Sequence, residues 1–192
     1  MTDEQKVGIF GIGLLIAGLL IRSLGSKEDF SVGEFYTVDQ VGRSETATAN
    51  EIQNTPTEFH LVEARSFAVN VLDPLIKVLG FVPTVNSWYR TGELTNFLYT
   101  GDKGGYLYSN HETAKTVDWD SPNDSRNHDI VQAILDTNTP FKELILEEGT
   151  MWDPGRIHLA WDPNNNKGDI KRMKNGKVKN IGIGGLSEFY AI

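Results

Sequence analysis

From Leu61 to Leu79 the apolar positions return every three or four residues: Leu61, Ala64, Phe67, Ala68, Val71, Leu72, Leu75, Ile76 and Leu79. That spacing predicts a long amphipathic helix opening near Pro56-Thr57 and stopped by Gly80. Pro74 lies inside it and has no amide proton to donate, so a kink or split is expected there. A shorter stripe, Ile130, Val131, Ile134 and Leu135, predicts a second helix over residues 128–137. Elsewhere the period falls to two. Val82 to Trp88, Thr116 to Asp120, Phe141 to Glu147 and Arg156 to Asp162 read as strands, and Asn175-Gly176 reads as a hairpin turn. Helices and strands together make an α+β chain.

Alternation also sorts side chains onto faces. Thr116, Asp118 and Asp120 point away from Val117 and Trp119; His158 points away from Ile157 and Leu159; Glu143, Ile145 and Glu147 point away from Leu144 and Leu146. A polar strand face usually meets only water. Two strands that each present a metal-binding group invite a second reading, because a catalytic zinc ion takes three imidazole or carboxylate ligands and keeps one position open. His111, Asp118 and His158 supply such a set, in a chain with 4 histidines. A His-x6-Asp pair is not specific, so spacing alone does not decide.

Composition narrows the chemistry. The 192 residues contain no cysteine, which excludes disulfides and thiolate metal sites. A formal charge of -8 argues against broad affinity for nucleic acid, and no nucleic-acid partner is expected. Six basic residues between Lys167 and Lys179 stand against one acid, Asp169, and read as a solvated hairpin. Val7 to Ile21 is an uncharged apolar run between Lys6 and Arg22, roughly 22 Å long as a helix against a hydrocarbon core of about 30 Å. It is short for a span, and we read residues 1–25 as a membrane-anchor helix. Residues 26–54 are polar without sustained period and read as a linker with one short strand near Phe35 to Val38. Residues 55–192 form the folded domain.

Four segments, in order, carry a resemblance: Ser87-Trp88-Tyr89-Arg90, Ser109-Asn110-His111 running to Val117-Asp118, Phe141-Lys142-Glu143-Leu144-Ile145-Leu146-Glu147, and Ile157-His158-Leu159. Together they resemble the motifs of the zinc D-Ala-D-Ala carboxypeptidase-like peptidases over about residues 55–165. The chain departs from that pattern at Ala114, where the family has Gly, at Lys142, where it has Asp, and at Arg156, where it has Trp. The resemblance implies a small antiparallel sheet with flanking helices, the carboxypeptidase and hedgehog-like arrangement. It also implies Zn2+ held by His111, Asp118 and His158, and Arg90 binding a substrate carboxylate. Glu147 falls on the family's recurring Glu and is the leading general base, with Asp153 as the runner-up. The implied substrate is a peptide amide of bacterial peptidoglycan, cut by a phage lysin or a lytic protein anchored in a virion or bacterial inner membrane. Two other classes stay open: a catalytically silent structural or wall-binding protein on the same fold, and an unrelated membrane-tethered module whose motifs coincide by chance. His60 and His128 match no motif and are expected to be structural or exposed.

Overall fold

The computed structural model describes residues 30–100, 108–123, 126–187 and 190. The expected anchor over residues 1–25 and part of the glycine-rich loop before His111 lie outside these. Among the described residues no helix is long and apolar enough to cross a membrane.

Val32–Ile192 is one compact α+β unit built on a six-stranded mixed sheet. The strands are β1 (Thr84–Ser87), β2 (Thr116–Asp120), β3 (Glu143–Glu147), β4 (Arg156–Ala160), β5 (Asp169–Lys174) and β6 (Lys177–Asn180), in the spatial order β1-β2-β4-β3-β5-β6. The expected all-antiparallel sheet is corrected at one pairing, since β3 and β5 run parallel while the other neighbours are antiparallel. The cause is the connection after β4. It crosses the end of the sheet where β3 begins, with Gly168 N donating to Phe141 O and Asp169 N to Lys142 O, so the chain re-enters beside β3 in β3's own direction. Alternation reveals strands but is silent on such pairings.

Register fixes which residues share a face. Asp118 lies opposite His158, His158 opposite Ile145, and Ile145 opposite Lys171. Directly opposed residues point the same way, so these four form one row across the middle of the sheet. The reverse face carries Val117, Trp119, Leu144, Leu146, Ile157, Leu159 and Ile170, all fully buried. Against it packs the helical part of the core, including Phe67, Leu72, Ile130 and Ile134.

The helices are α1 (Val38–Gly42), α2 (Glu45–Ala49), α3 (Glu58–Phe67), α4 (Asp73–Leu79), α5 (Gly92–Thr100) and α6 (Asn127–Asp136). The predicted long helix is α3 and α4 joined by a π-helical turn, Ala68–Leu72. The wide turn absorbs Pro74, which falls in the first turn of α4, where a missing amide proton costs no bond. Gly80 closes α4 with φ 69°, and Asn175-Gly176, at φ 51° and 70°, makes the predicted hairpin turn.

The predicted linker is corrected over residues 32–54. Val32, Tyr36 and Val41 are fully or almost fully buried in the same core as the sheet, and the expected strand near Phe35 is a bend leading into α1. Burying each such side chain contributes roughly 1.5–3 kcal/mol. Tyr36 Oη donates to Pro83 O at 2.9 Å and its ring meets Trp88 edge-on. Gly33 permits this entry: it has φ 86°, and a Cβ there would stand 2.7 Å from Asp73 Oδ2. Three anchors spread over ten residues show no period, so the pattern conceals them. Helix α5, with Leu94 and Thr95 buried, was not singled out by the pattern either.

Candidate metal centre

A 3-10 turn, Asn110–Thr113, delivers the first group of the site. Ser109 caps it: its Oγ accepts from His111 N at 3.3 Å, while Glu112 Oε1 accepts from Ser109 N at 3.0 Å. The turn ends at Ala114, fully buried at φ 57°. This is the position where the resemblance expects Gly, and the backbone explains that expectation, because an L side chain in the left-handed region costs about 1 kcal/mol. Trp88 braces the turn by donating from Nε1 to Ala114 O at 2.7 Å.

His111, Asp118 and His158 converge. Each offers one ligand atom, all three atoms lie within 4.8 Å of one another, and all three residues are buried. His111 Nε2 is 3.1 Å and His158 Nδ1 2.8 Å from the same oxygen, Asp118 Oδ1. The other oxygen, Oδ2, accepts from Arg90 Nη2 at 2.5 Å, and Arg90 Nε donates to Ser87 Oγ at 2.8 Å.

The hydrogen-bond roles expose a conflict. His111 Nδ1 lies 2.6 Å from Trp88 O, and a carbonyl only accepts, so Nδ1 carries the ring proton. In the neutral ring Nε2 therefore aims a lone pair at a carboxylate oxygen. Protonation would relieve that, but burial pulls the His111 pKa down, exceeding the opposing attraction of Asp118. A metal cation between the two acceptors resolves the conflict without a proton, and a second partner that fixes the distal ring nitrogen is the usual support of a metal-binding imidazole. Two nitrogens and one oxygen could hold a metal ion.

Charges around the three groups are tightly coupled. Burial resists ionisation of Asp118, yet the two imidazoles outweigh it and hold its carboxyl well below the usual range. Burial also favours neutral His158, yet the hydrogen bond and charge of Asp118 prevail and push its pKa up. His158 Nε2 is buried without a hydrogen-bond partner and faces Glu143 Oε1 at 3.7 Å. Glu143 is held from behind by Lys171 and accepts from Asn110 Nδ2 at 3.3 Å. Sequence reading placed Glu143 on the correct face without giving it a role, and nothing in the pattern pointed to the Trp88 carbonyl.

The other expected residues separate. Glu147 stands on the same sheet face as His158; burial first, then the charge of Asp118, raises its pKa above the ordinary value, and Arg156 Nη1 is 3.9 Å away. Asp153 does not join the cluster. It sits in the loop before β4, its backbone tied to Thr150, with one buried carboxylate oxygen unpartnered and its charge felt by Tyr190. Arg90, expected to await a substrate, is engaged with Asp118. His60 caps α3 through Thr57, and His128 pairs with Asp129 at 2.8 Å beneath Trp152.

A cleft of about 400 Å³ opens beside Asp118, lined in part by Arg43, Ser87, Arg90 and Arg156. Comparison with family models, curated proteins and solved structures finds no match.

Proposed function

We propose that this chain is a zinc-dependent peptidase of the D-Ala-D-Ala carboxypeptidase-like kind, hydrolysing an amide in the peptides of peptidoglycan. The observation that carries the reading is the pair of facing acceptors, His111 Nε2 and Asp118 Oδ1, with His158 Nδ1 beside them. Nitrogen and oxygen ligands without sulfur suit zinc with an open position. Zinc bound by His111, Asp118 and His158 supplies a Lewis acid that polarises a carbonyl and makes water more acidic.

The protein's own groups do the rest. Arg90 holds Asp118 Oδ2, which leaves Oδ1 turned toward the imidazoles. Glu147, a partly buried carboxylate on the same face, takes the proton of the attacking water and passes it to the leaving amine. The raised pKa suits that shuttle, since a stronger base accepts the proton more readily and can still release it. The cleft beside Asp118 is where the proposed peptide substrate would lie. The run Val7–Ile21 would tether the enzyme to a membrane near its wall substrate.

The test is clearing of purified peptidoglycan by the full-length protein together with zinc analysis. Clearing is expected to vanish with EDTA, to return with added zinc, and to be lost in His158→Ala while circular dichroism is unchanged. Clearing that survives both treatments defeats the proposal. A second reading, a silent wall-binding protein on this fold, is favoured by one feature: several members of the carboxypeptidase-like family place an acid three residues before the last histidine, where this chain has Gly155. Stoichiometric zinc in a protein that binds but never cuts the wall would select it.

Zinc affinity should also report on His158. Because its pKa is raised in the metal-free protein, a proton competes with the metal over more of the neutral range. Affinity is expected to fall about tenfold per pH unit below that pKa and to level off above it. Calorimetry in buffers of different ionisation enthalpy should show about one proton released per zinc on the acid side. A flat affinity between about pH 5 and pH 8 would contradict the assignment of His158 as a ligand.

A further inference from the structure

Glu143 lies on the site face of the sheet and has no part in the proposed chemistry. Across β3 and β4 it stands opposite Ala160, two residues beyond His158, so Glu143 and His158 are diagonal neighbours within reach of a long side chain. The carboxylate is largely buried, and its two oxygens are used differently. Oε2 takes the ion pair with Lys171. Oε1 accepts from Asn110 Nδ2 at 3.3 Å and faces His158 Nε2 at 3.7 Å. That nitrogen is buried, with no hydrogen-bond partner among the described residues.

Lys142 sets the direction of Asn110. An ammonium group can only donate, and Lys142 Nζ donates to Asn110 Oδ1 at 2.8 Å, which leaves Nδ2 for Glu143. Asn110 immediately precedes His111 in the 3-10 turn. A continuous link therefore runs from the turn that carries one imidazole, through Asn110 and Glu143, to the strand that carries the other. Lys142, a departure from the carboxypeptidase-like pattern, has a task in this link.

The two imidazoles need opposite tautomers. His111 keeps its proton on Nδ1, against Trp88 O, and turns Nε2 to Asp118 Oδ1. His158 turns Nδ1 to that same oxygen. Once Nδ1 is given to a metal ion, the neutral His158 ring carries its one proton on Nε2. A buried N–H without an acceptor is costly, and the carboxylate oxygen facing this one is Glu143 Oε1.

The geometry points to Glu143 as the positioning residue of His158: Oε1 receives the Nε2 proton and so fixes the ring with Nδ1 toward the metal. The inference rests on the metal centre of the proposed peptidase and gives the ligand on β4 a support equivalent to the Trp88 carbonyl behind His111. Lys171 and Asn110 hold the carboxylate in place for it.

The test measures the zinc affinity of the full-length protein by competition with a chromophoric chelator, and follows the histidine rings of the zinc-loaded protein by long-range proton–nitrogen NMR correlation. Wild-type His158 should be protonated on Nε2, with a proton that exchanges slowly with water. Glu143→Ala is expected to weaken zinc binding about ten- to hundredfold and to speed that exchange, while His111 keeps its Nδ1 proton. Glu143→Gln, which preserves shape and an acceptor oxygen, should recover part of the affinity. Lys171→Met removes the ion pair but leaves the carboxylate, and should cost less than Glu143→Ala. An equal cost would make the role that of a structural ion pair. Unchanged zinc affinity in Glu143→Ala, or a zinc-loaded His158 protonated on Nδ1, would overturn the positioning role while the metal centre stands. If wild type binds no zinc, the centre fails and the role with it. Zinc bound with these signatures by a protein that never cuts peptidoglycan would uphold Glu143 and end the peptidase reading alone.

Discussion

Asp118→Ala is expected to empty the proposed metal centre and to destabilise the metal-free fold by about 3–5 kcal/mol, because removing one partner of a buried ion pair strands the others. Asp118 is the only group that touches His111, His158 and Arg90 at once among the described residues. Without it, Arg90 keeps its bond to Ser87 but loses its counter-charge, and His158 loses the partner that favours its proton. Zinc analysis should drop from about one equivalent to none, and the urea midpoint should fall without a change in m-value. Asp118→Asn should recover some stability, since an amide oxygen can still accept from Arg90, but should not restore zinc. A variant that keeps both its zinc and its midpoint would remove the centre from consideration.

Glu147→Gln is expected to retain zinc and fold while kcat falls about 10²- to 10⁴-fold, the usual worth of a positioned base. The pH profile carries the sharper signature. Burial and the nearby Asp118 charge raise the Glu147 pKa above the ordinary carboxylate value, so the basic form prevails only above that raised value. Activity should therefore fall as pH drops through a point higher than an ordinary carboxylate would set, and Glu147→Gln should lose that limb. If the variant keeps activity to within about threefold, the proton is carried elsewhere.

These two residues also show what the sequence could reveal. Strict alternation through Thr116–Asp120, Glu143–Glu147 and Arg156–Ala160 put Asp118, Glu147 and His158 opposite an apolar row, because one buried face fixes the side of every residue in a strand. Their convergence followed once β2, β4 and β3 paired. Arg90 was visible as a residue but not its partner, since a pairing over 28 positions leaves no local trace. Val32, Tyr36 and Val41 were hidden for the opposite reason: each is an isolated anchor in polar surroundings, and no periodicity signals a segment held by single contacts and an Asn54 clamp. The parallel entry of β5 escaped as well, being set by where a loop crosses the sheet. Ala114 is instructive in both directions. Its left-handed backbone explains why Gly is the expected residue, yet the chain keeps Ala with its methyl group buried in the core.

Trp88 belongs to two systems. Its ring is wedged between Tyr36 and Phe67, while its carbonyl receives the His111 proton and its indole N–H secures the turn behind that histidine. Scaffold and chemistry have no joint between them at this point, so the aromatic interior acts as the jig in which the ligand set is held. Exchanges at Tyr36 or Phe67 would be felt as errors of aim in His111, and the freedom of this interior to drift in sequence is narrowed accordingly.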